Sequence, residues 1–272
     1  MTAEEALQGR TILIVGGTGG LGASATAACL AAGAHVVAVG RNRQRAKRLS
    51  RQHDTGSLET VIGDAQDPTT ATRAVERAVS VFGRLDGLYH VAGGSGRSFG
   101  DGPLHEMPPA AWKRTLELNL DSATWSLQAA LSHWMQHQQG GSALLMSSAL
   151  ARHPAPNFFA THAYAAAKAA IEGLVRTTAA YYAPYNIRVN AVAPALVETP
   201  MSTRACQDAT IRDYVHLRQP LDGGRVGTTD DLDAAIVYFL SPQSRFVTGQ
   251  VLAIDGGWSV CDALPPAPPQ RS

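Results

Sequence analysis

The chain has 272 residues, 45% of them hydrophobic and 17% charged, with a formal net charge of +1, the make-up of a globular protein long enough to bury a substantial core. A charge so near neutral gives no ground for a nucleic-acid or anionic-membrane partner, and no apolar run nears the ~20 residues that span a bilayer. The N-terminus, MTAEEALQGR, lacks the basic-then-apolar plan of a secretory leader; the scattered Cys29, Cys206 and Cys261 form neither a CxxC pair nor a disulfide framework, so a reducing, cytoplasmic setting is expected.

Residues 11–15 (TILIV) are a β-branched run that ends in glycines and predict a buried strand. An alanine-rich helix over 21–32 follows, with Gly33 as its stop, and then a second strand over 35–39. The alternation continues: strand 58–62, helix 68–82, strand 85–91, a long helix over 109–138, strand 142–146 and helix 163–182. Strand 187–192, helix 230–240 and strand 250–254 complete it. About seven strands alternating with helices predict an α/β fold, a Rossmann-like doubly wound parallel sheet with helices on both faces. One domain is expected over 1–261, followed by a disordered tail over 262–272, where Pro265, Pro266, Pro268 and Pro269 forbid helix and sheet.

The first strand runs into Val15-Gly16-Gly17-Thr18-Gly19-Gly20-Leu21-Gly22. Strand, glycines and then a helix is the arrangement that lets backbone N–H groups approach a pyrophosphate at a helix N-terminus, where a Cβ would block the way. Tyr164 and Lys168 stand four apart in an alanine-rich helix and so share one face. An ammonium near a phenol favours the phenolate and makes the tyrosine a usable general acid/base. The second strand ends Val39-Gly40-Arg41-Asn42, with no acid to accept from a ribose 2′-hydroxyl. A guanidinium fork there suits a 2′-phosphate, which predicts NADP(H) over NAD(H), with Arg41 on the phosphate and Arg43 as the next contact. The other basic residues that follow, Arg45, Lys47, Arg48 and Arg51, read as a solvated helix face.

The spacing Gly16-xxx-Gly20-x-Gly22 resembles the TGxxxGxG fingerprint of the short-chain dehydrogenase/reductase family, with Val15 in place of its threonine. Further family marks follow over about residues 8–260. Asp64 matches the aspartate that looks toward the adenine, and His90-Val91-Ala92-Gly93 matches the NNAG motif with both asparagines replaced. Asn119, Ser148, Tyr164 and Lys168 match the catalytic set, and Pro194-Ala195-Leu196-Val197-Glu198-Thr199 matches the PG-x-x-x-T stretch, with Ala195 for glycine. The resemblance implies a cofactor site built from Gly16, Thr18, Gly19, Gly20, Leu21, Gly22, Arg41, Asp64, Ala92, Gly93, Tyr164, Lys168, Pro194, Val197 and Thr199. It implies hydride exchange between a nicotinamide and a secondary alcohol or ketone. In that scheme Tyr164 moves the proton, Lys168 lowers its pKa and bonds the ribose, Ser148 steadies the substrate oxygen and Asn119 holds a relay water. It also implies a small-molecule substrate, a homo-oligomer (dimer or tetramer), and a substrate lid over about 196–224. A 3-oxoacyl carrier-protein-type reductase is one alternative; a non-catalytic NADP-binding sensor is another, against which the intact proton-transfer set argues.

Ser148 is preferred to Ser147 because it stands two beyond the last apolar residue of its strand. Residues 150–159 then hold an insertion beside the substrate pocket, with Phe158 and Phe159 as wall or packing. The glycine-rich 95–102 reads as a mobile loop at the mouth. Ile171, Leu174, Val175 and Thr178 form a stripe for core or subunit contact. His133 and His137, without an acidic third ligand, read as exposed histidines at a helix end rather than a metal site. Arg204, Arg212, His216 and Arg218 read as solvated lid residues in preference to an anion site.

Overall fold

The computed structural model describes residues 5–53 and 56–262; the proline-rich tail expected from 262 onward lies, apart from Asp262, outside them. Seven strands, β1 (Thr11–Val15), β2 (His35–Gly40), β3 (Leu58–Ile62), β4 (Gly87–His90), β5 (Gly141–Met146), β6 (Ile187–Pro194) and β7 (Val251–Ile254), form one sheet in the order β3-β2-β1-β4-β5-β6-β7. Every pairing is parallel. The order reverses direction between β1 and β4, and a crevice opens there at the carboxyl ends of the strands.

The helices are α1 (Gly20–Ala31), α2 (Arg43–Gln52), α3 (Pro68–Phe82), α4 (Pro109–Leu116), α5 (Ser122–Gln136), α6 (His162–Tyr182), α7 (Thr203–Gln207), α8 (Ala209–Arg218) and α9 (Asp233–Leu240). Their ends follow local chemistry. Asp67 caps α3 ahead of Pro68, and Gly83 ends it in the left-handed region at φ 76°. Side chains alternate across the sheet. Leu13 and Val15 enter a core with α3, α5 and α6, whereas Ile12 and Ile14 enter a second core with α1 and α9. Ile171 and Val175 are fully buried in the first core, whereas Leu174 and Thr178 of the same stripe are half-buried.

Between α4 and α5 the expected continuous helix is broken by a π-turn, Glu117–Asp121, centred on Asn119. The three cysteines are free thiols. No helix among the described residues is long and apolar enough to cross a membrane.

Candidate active site

The crevice is a cleft of about 400 Å³ lined from the β1–α1 turn, the ends of β2, β4, β5 and β6, and the first turns of α6. Gly16 takes φ +96°, and a Cβ on it would stand 2.7 Å from the Ala92 amide nitrogen, because the segment after β4 crosses directly over the turn. A Cβ on Gly22 would collide with the Gly16 carbonyl, so α1 can pack against its own turn only through glycine. No side chain caps α1 at Gly19, which leaves its first N–H groups for an anion. Bare backbone donors in a cradle that Cβ atoms would fill match the diphosphate of a dinucleotide.

Every expected cofactor residue lines this cleft: Gly16, Thr18, Gly19, Gly20, Leu21, Gly22, Arg41, Asp64, Ala92, Gly93, Tyr164, Lys168, Pro194, Val197 and Thr199. At its outer end the Arg41 guanidinium meets Asp64 at 3.4 Å, both side chains being exposed. Arg43, expected beside Arg41, does not line the cleft, whereas Arg45 does. Asn42 accepts from the Gln44 and Arg45 amides and starts α2 at Arg43. Two helical steps then turn Arg45 about 200° from Arg43.

At the inner end, α6 presents Tyr164 and Lys168. Lys168 Nζ donates to the Met146 carbonyl at 2.9 Å and stands 5.6 Å from the centre of the Tyr164 ring. Burial brings the Lys168 ammonium down to about 7. Burial also raises the Tyr164 phenol, while the Ser148 hydroxyl pulls it the other way. Burial outweighs the Ser148 hydroxyl, so the phenol stands raised here and not lowered as the sequence led us to expect. Ser148 faces this pair. Ser147 turns away and donates to Glu172 Oε1 at 3.0 Å.

Asn119 is fully buried and does not line the cleft. Its amide nitrogen donates to the Gly94 and Thr115 carbonyls, both at 2.9 Å, and its oxygen accepts from the Gly94 amide at 3.1 Å. This clamp holds the segment after β4 against the π-turn, beside Lys168: a Cβ on Gly93 would stand 2.6 Å from Asn119 Oδ1 and 3.5 Å from Lys168 Nζ. His90, in place of an asparagine, reinforces it. Its Nε2 lies 3.1 Å from the Ala92 carbonyl, which only accepts, so that nitrogen carries the hydrogen and Nδ1 faces the Ser126 hydroxyl at 3.0 Å. Burial, and then Lys168, hold this imidazole down at about 3, so it is neutral.

Several residues escape sequence reasoning. Asp101 accepts from the Ala163 amide at 3.0 Å and the Tyr164 amide at 2.9 Å, and so caps the first turn of α6, where Thr161 makes no side-chain cap. The 95–102 loop is thus tied to α6, with the Gly102 carbonyl 2.8 Å from His162 Nδ1. Arg152 in the inserted loop bonds the buried Glu172 at 2.5 Å, and Trp258 donates to the His153 carbonyl. Phe158 and Phe159, expected as wall or packing, meet Tyr214 and Trp258 in tilted and edge-on contacts that form an aromatic wall. None of these contacts has a local signal, since the partners lie far apart in the chain. His133 and His137 lie tilted against each other with ring centres 4.6 Å apart, and among the described residues no group of three or more His, Cys, Asp or Glu is placed to hold a metal ion.

A family model described as Enoyl-(Acyl carrier protein) reductase matches residues 16–259. The chain belongs to the short-chain dehydrogenase/reductase family. It is similar to the cis-4-hydroxycyclohexanecarboxylate dehydrogenase of Sinomonas cyclohexanicum, at 34% identity over 94% of this chain and 98% of that one. Among solved structures, a gluconate 5-dehydrogenase from Burkholderia cenocepacia in complex with NADP and tartrate superposes with TM-score 0.86 at 29% identity, over 96% and 99% of the two chains. A 3-ketoacyl-(acyl-carrier-protein) reductase from Brucella melitensis complexed with NADH does so with TM-score 0.81 at 27% identity, over 93% and 100%. As a short-chain dehydrogenase/reductase, the protein is an oxidoreductase that interconverts a secondary alcohol and a ketone with a nicotinamide cofactor.

Proposed function

We propose that the enzyme prefers NADP(H) and that Tyr164 is its general acid/base. The observation that carries this reading is the meeting of Tyr164, Lys168 and Ser148 at the inner end of a cleft whose outer end carries Arg41 and Arg45 and whose floor is the glycine turn. A bound nicotinamide supplies or accepts the hydride. In reduction the Tyr164 hydroxyl gives its proton to the carbonyl oxygen, and in oxidation its phenolate takes one. The Ser148 hydroxyl donates to that same oxygen as charge develops. Lys168 spends one donor on the Met146 carbonyl and keeps two for the phenol and the ribose hydroxyls. The Asn119 side chain has its hydrogen bonds committed inside the protein, so a relay water at this position would sit on the main chain that the π-turn exposes. Asn119 and His90 then act as positioning residues.

Arg41 has five N–H donors, so its contact with Asp64 leaves capacity for a 2′-phosphate, with Arg45 alongside. Segment 196–224, carrying α7 and α8, serves as the substrate lid within a domain running to 261. The substrate is a small molecule, and the relatives that act on hydroxycyclohexanecarboxylate and gluconate support a hydroxy-acid-like one. Exposed Leu252 on the edge strand β7, with Phe246 nearby in sequence, supports a homo-oligomer. The three free thiols suit a reducing cytoplasm. The test of cofactor choice is kcat/KM with NADPH and NADH. A preference for NADPH that falls about tenfold or more in Arg41→Ala is expected; equal use of both cofactors, unchanged by the substitution, would overturn it.

A further inference from the structure

The substrate end of the cleft carries positive charge, and no carboxylate lines that end to answer it; the nearest, Asp101, is buried behind Arg97 and committed to the start of α6. Arg97 lines it from the turn after β4 and Arg204 lines it from α7, on the opposite bank. Arg97 Nη2 donates to the Phe158 carbonyl at 2.9 Å, which fixes that guanidinium at the rim. Neither arginine takes part in an ion pair among the described residues. Asp64, at the far end and paired with Arg41, is the one acid among the described residues that line the cleft. Leu150, Phe159, Met201, Ala205 and Trp258 add apolar wall to this end.

Taking the alcohol/ketone reading as its basis, we propose that the substrate is a hydroxy or oxo carboxylic acid whose carboxylate is held between Arg97 and Arg204. Two guanidinium groups facing one cleft repel each other, and burial and then Arg204 hold Arg97 below its ordinary value against a smaller opposing pull from Asp101. A carboxylate between them removes the repulsion and offers two oxygens to planar forks. A compact hydrocarbon body fits the apolar wall and carries the reacting carbon toward Tyr164 and Ser148. Because Arg204 belongs to the lid segment and Arg97 to the opposite bank, the bound anion also draws the two together. The neutral ester or hydrocarbon analogue of the same ketone loses that bridge and leaves the repulsion in place.

The test uses the full-length protein with NADPH and three matched ketones: 4-oxocyclohexanecarboxylate, its methyl ester and 4-methylcyclohexanone. The acid is expected to show kcat/KM about ten- to a hundredfold above either neutral ketone. The acid-to-ester ratio is expected to collapse toward one in Arg204→Gln, whose native side chain makes no hydrogen bond among the described residues. As a check free of mutation, added salt should raise KM for the acid and not for the ester. An ester reduced as well as the acid, or a ratio unmoved in Arg204→Gln, overturns the carboxylate site and leaves the oxidoreductase reading intact. Reduction of acetoacetyl-CoA alone would assign the arginines to a phosphate and overturn the carboxylate. If no ketone or thioester is turned over with either nicotinamide, the alcohol/ketone reading fails and this proposal falls with it.

Discussion

Removing the Asp101 carboxylate should loosen the helix that carries Tyr164 without touching the cofactor cradle. The carboxylate is 4% exposed and takes two amide N–H groups at 3.0 and 2.9 Å, at a helix start with no side-chain cap of its own. A cap is worth about 0.5–2 kcal/mol, and a carboxylate at a partly buried helix N-terminus adds up to ~2 kcal/mol. Asp101→Ala should therefore cost about 1–4 kcal/mol in urea unfolding at fixed protein concentration. Asp101→Asn keeps one acceptor and leaves one buried N–H unmet, so its cost should be about 1–3 kcal/mol. Because one of the two amides belongs to Tyr164, kcat should fall in both variants. NADPH binding, which rests on the β1–α1 turn, should hold within about twofold. An Asp101→Ala protein within about 0.5 kcal/mol of wild type would show that α6 does not depend on this cap and would refute the reasoning.

Two further outcomes follow from the geometry of α6. Lys168 has its ammonium at about 7 in the fold against an ordinary 10.5. Below pH 7 the native state bears the whole cost of burying that charge; between about 7 and 10.5 it sheds the proton while the unfolded chain keeps it, and the cost fades. Lys168→Met should therefore stabilise the cofactor-free protein at pH 6 by on the order of a few kcal/mol and by less at pH 9. Denaturation showing a gain that grows with pH would contradict the assigned burial. Ser148→Ala should lower kcat about 10²-fold or more, whereas Ser147→Ala, which loses a bond to Glu172, should cost about 1 kcal/mol of stability and leave kcat near wild type. The reverse pattern in steady-state kinetics would move the catalytic serine.

The parallel sheet was legible because its strands are short apolar runs punctuated by glycine and the helices between them are alanine-rich or well capped, as with Asp67, Pro68 and Gly83. α2 is legible only as the solvated basic face of Arg45, Lys47, Arg48 and Arg51, without bounds, because only Ala46 and Leu49 of its ten residues are buried, too few to print a period. The π-turn at Asn119 was invisible because Leu118-Asn119-Leu120 reads as ordinary helix; the bulge answers to Gly94 and His90, contacts made across the fold. Spacing showed that Tyr164 and Lys168 share a helix face, and the family resemblance implied that they meet the glycine turn in one cleft, where they do lie together. Arg45 displaced Arg43 because the Asn42 cap sets the rotation of α2, which a basic run does not reveal. Asp101 and Arg97 were hidden for a plainer reason: their partners on α6 and the inserted loop lie some sixty positions downstream.

The most direct measurement is the turnover number of Tyr164→Phe alongside its NADPH dissociation constant. Loss of the hydroxyl should lower kcat by about 10²- to 10⁴-fold while NADPH binds as in wild type, because the ring and the cradle remain. A Tyr164→Phe enzyme that binds NADPH and reduces ketone within about threefold of the wild-type rate would contradict the account.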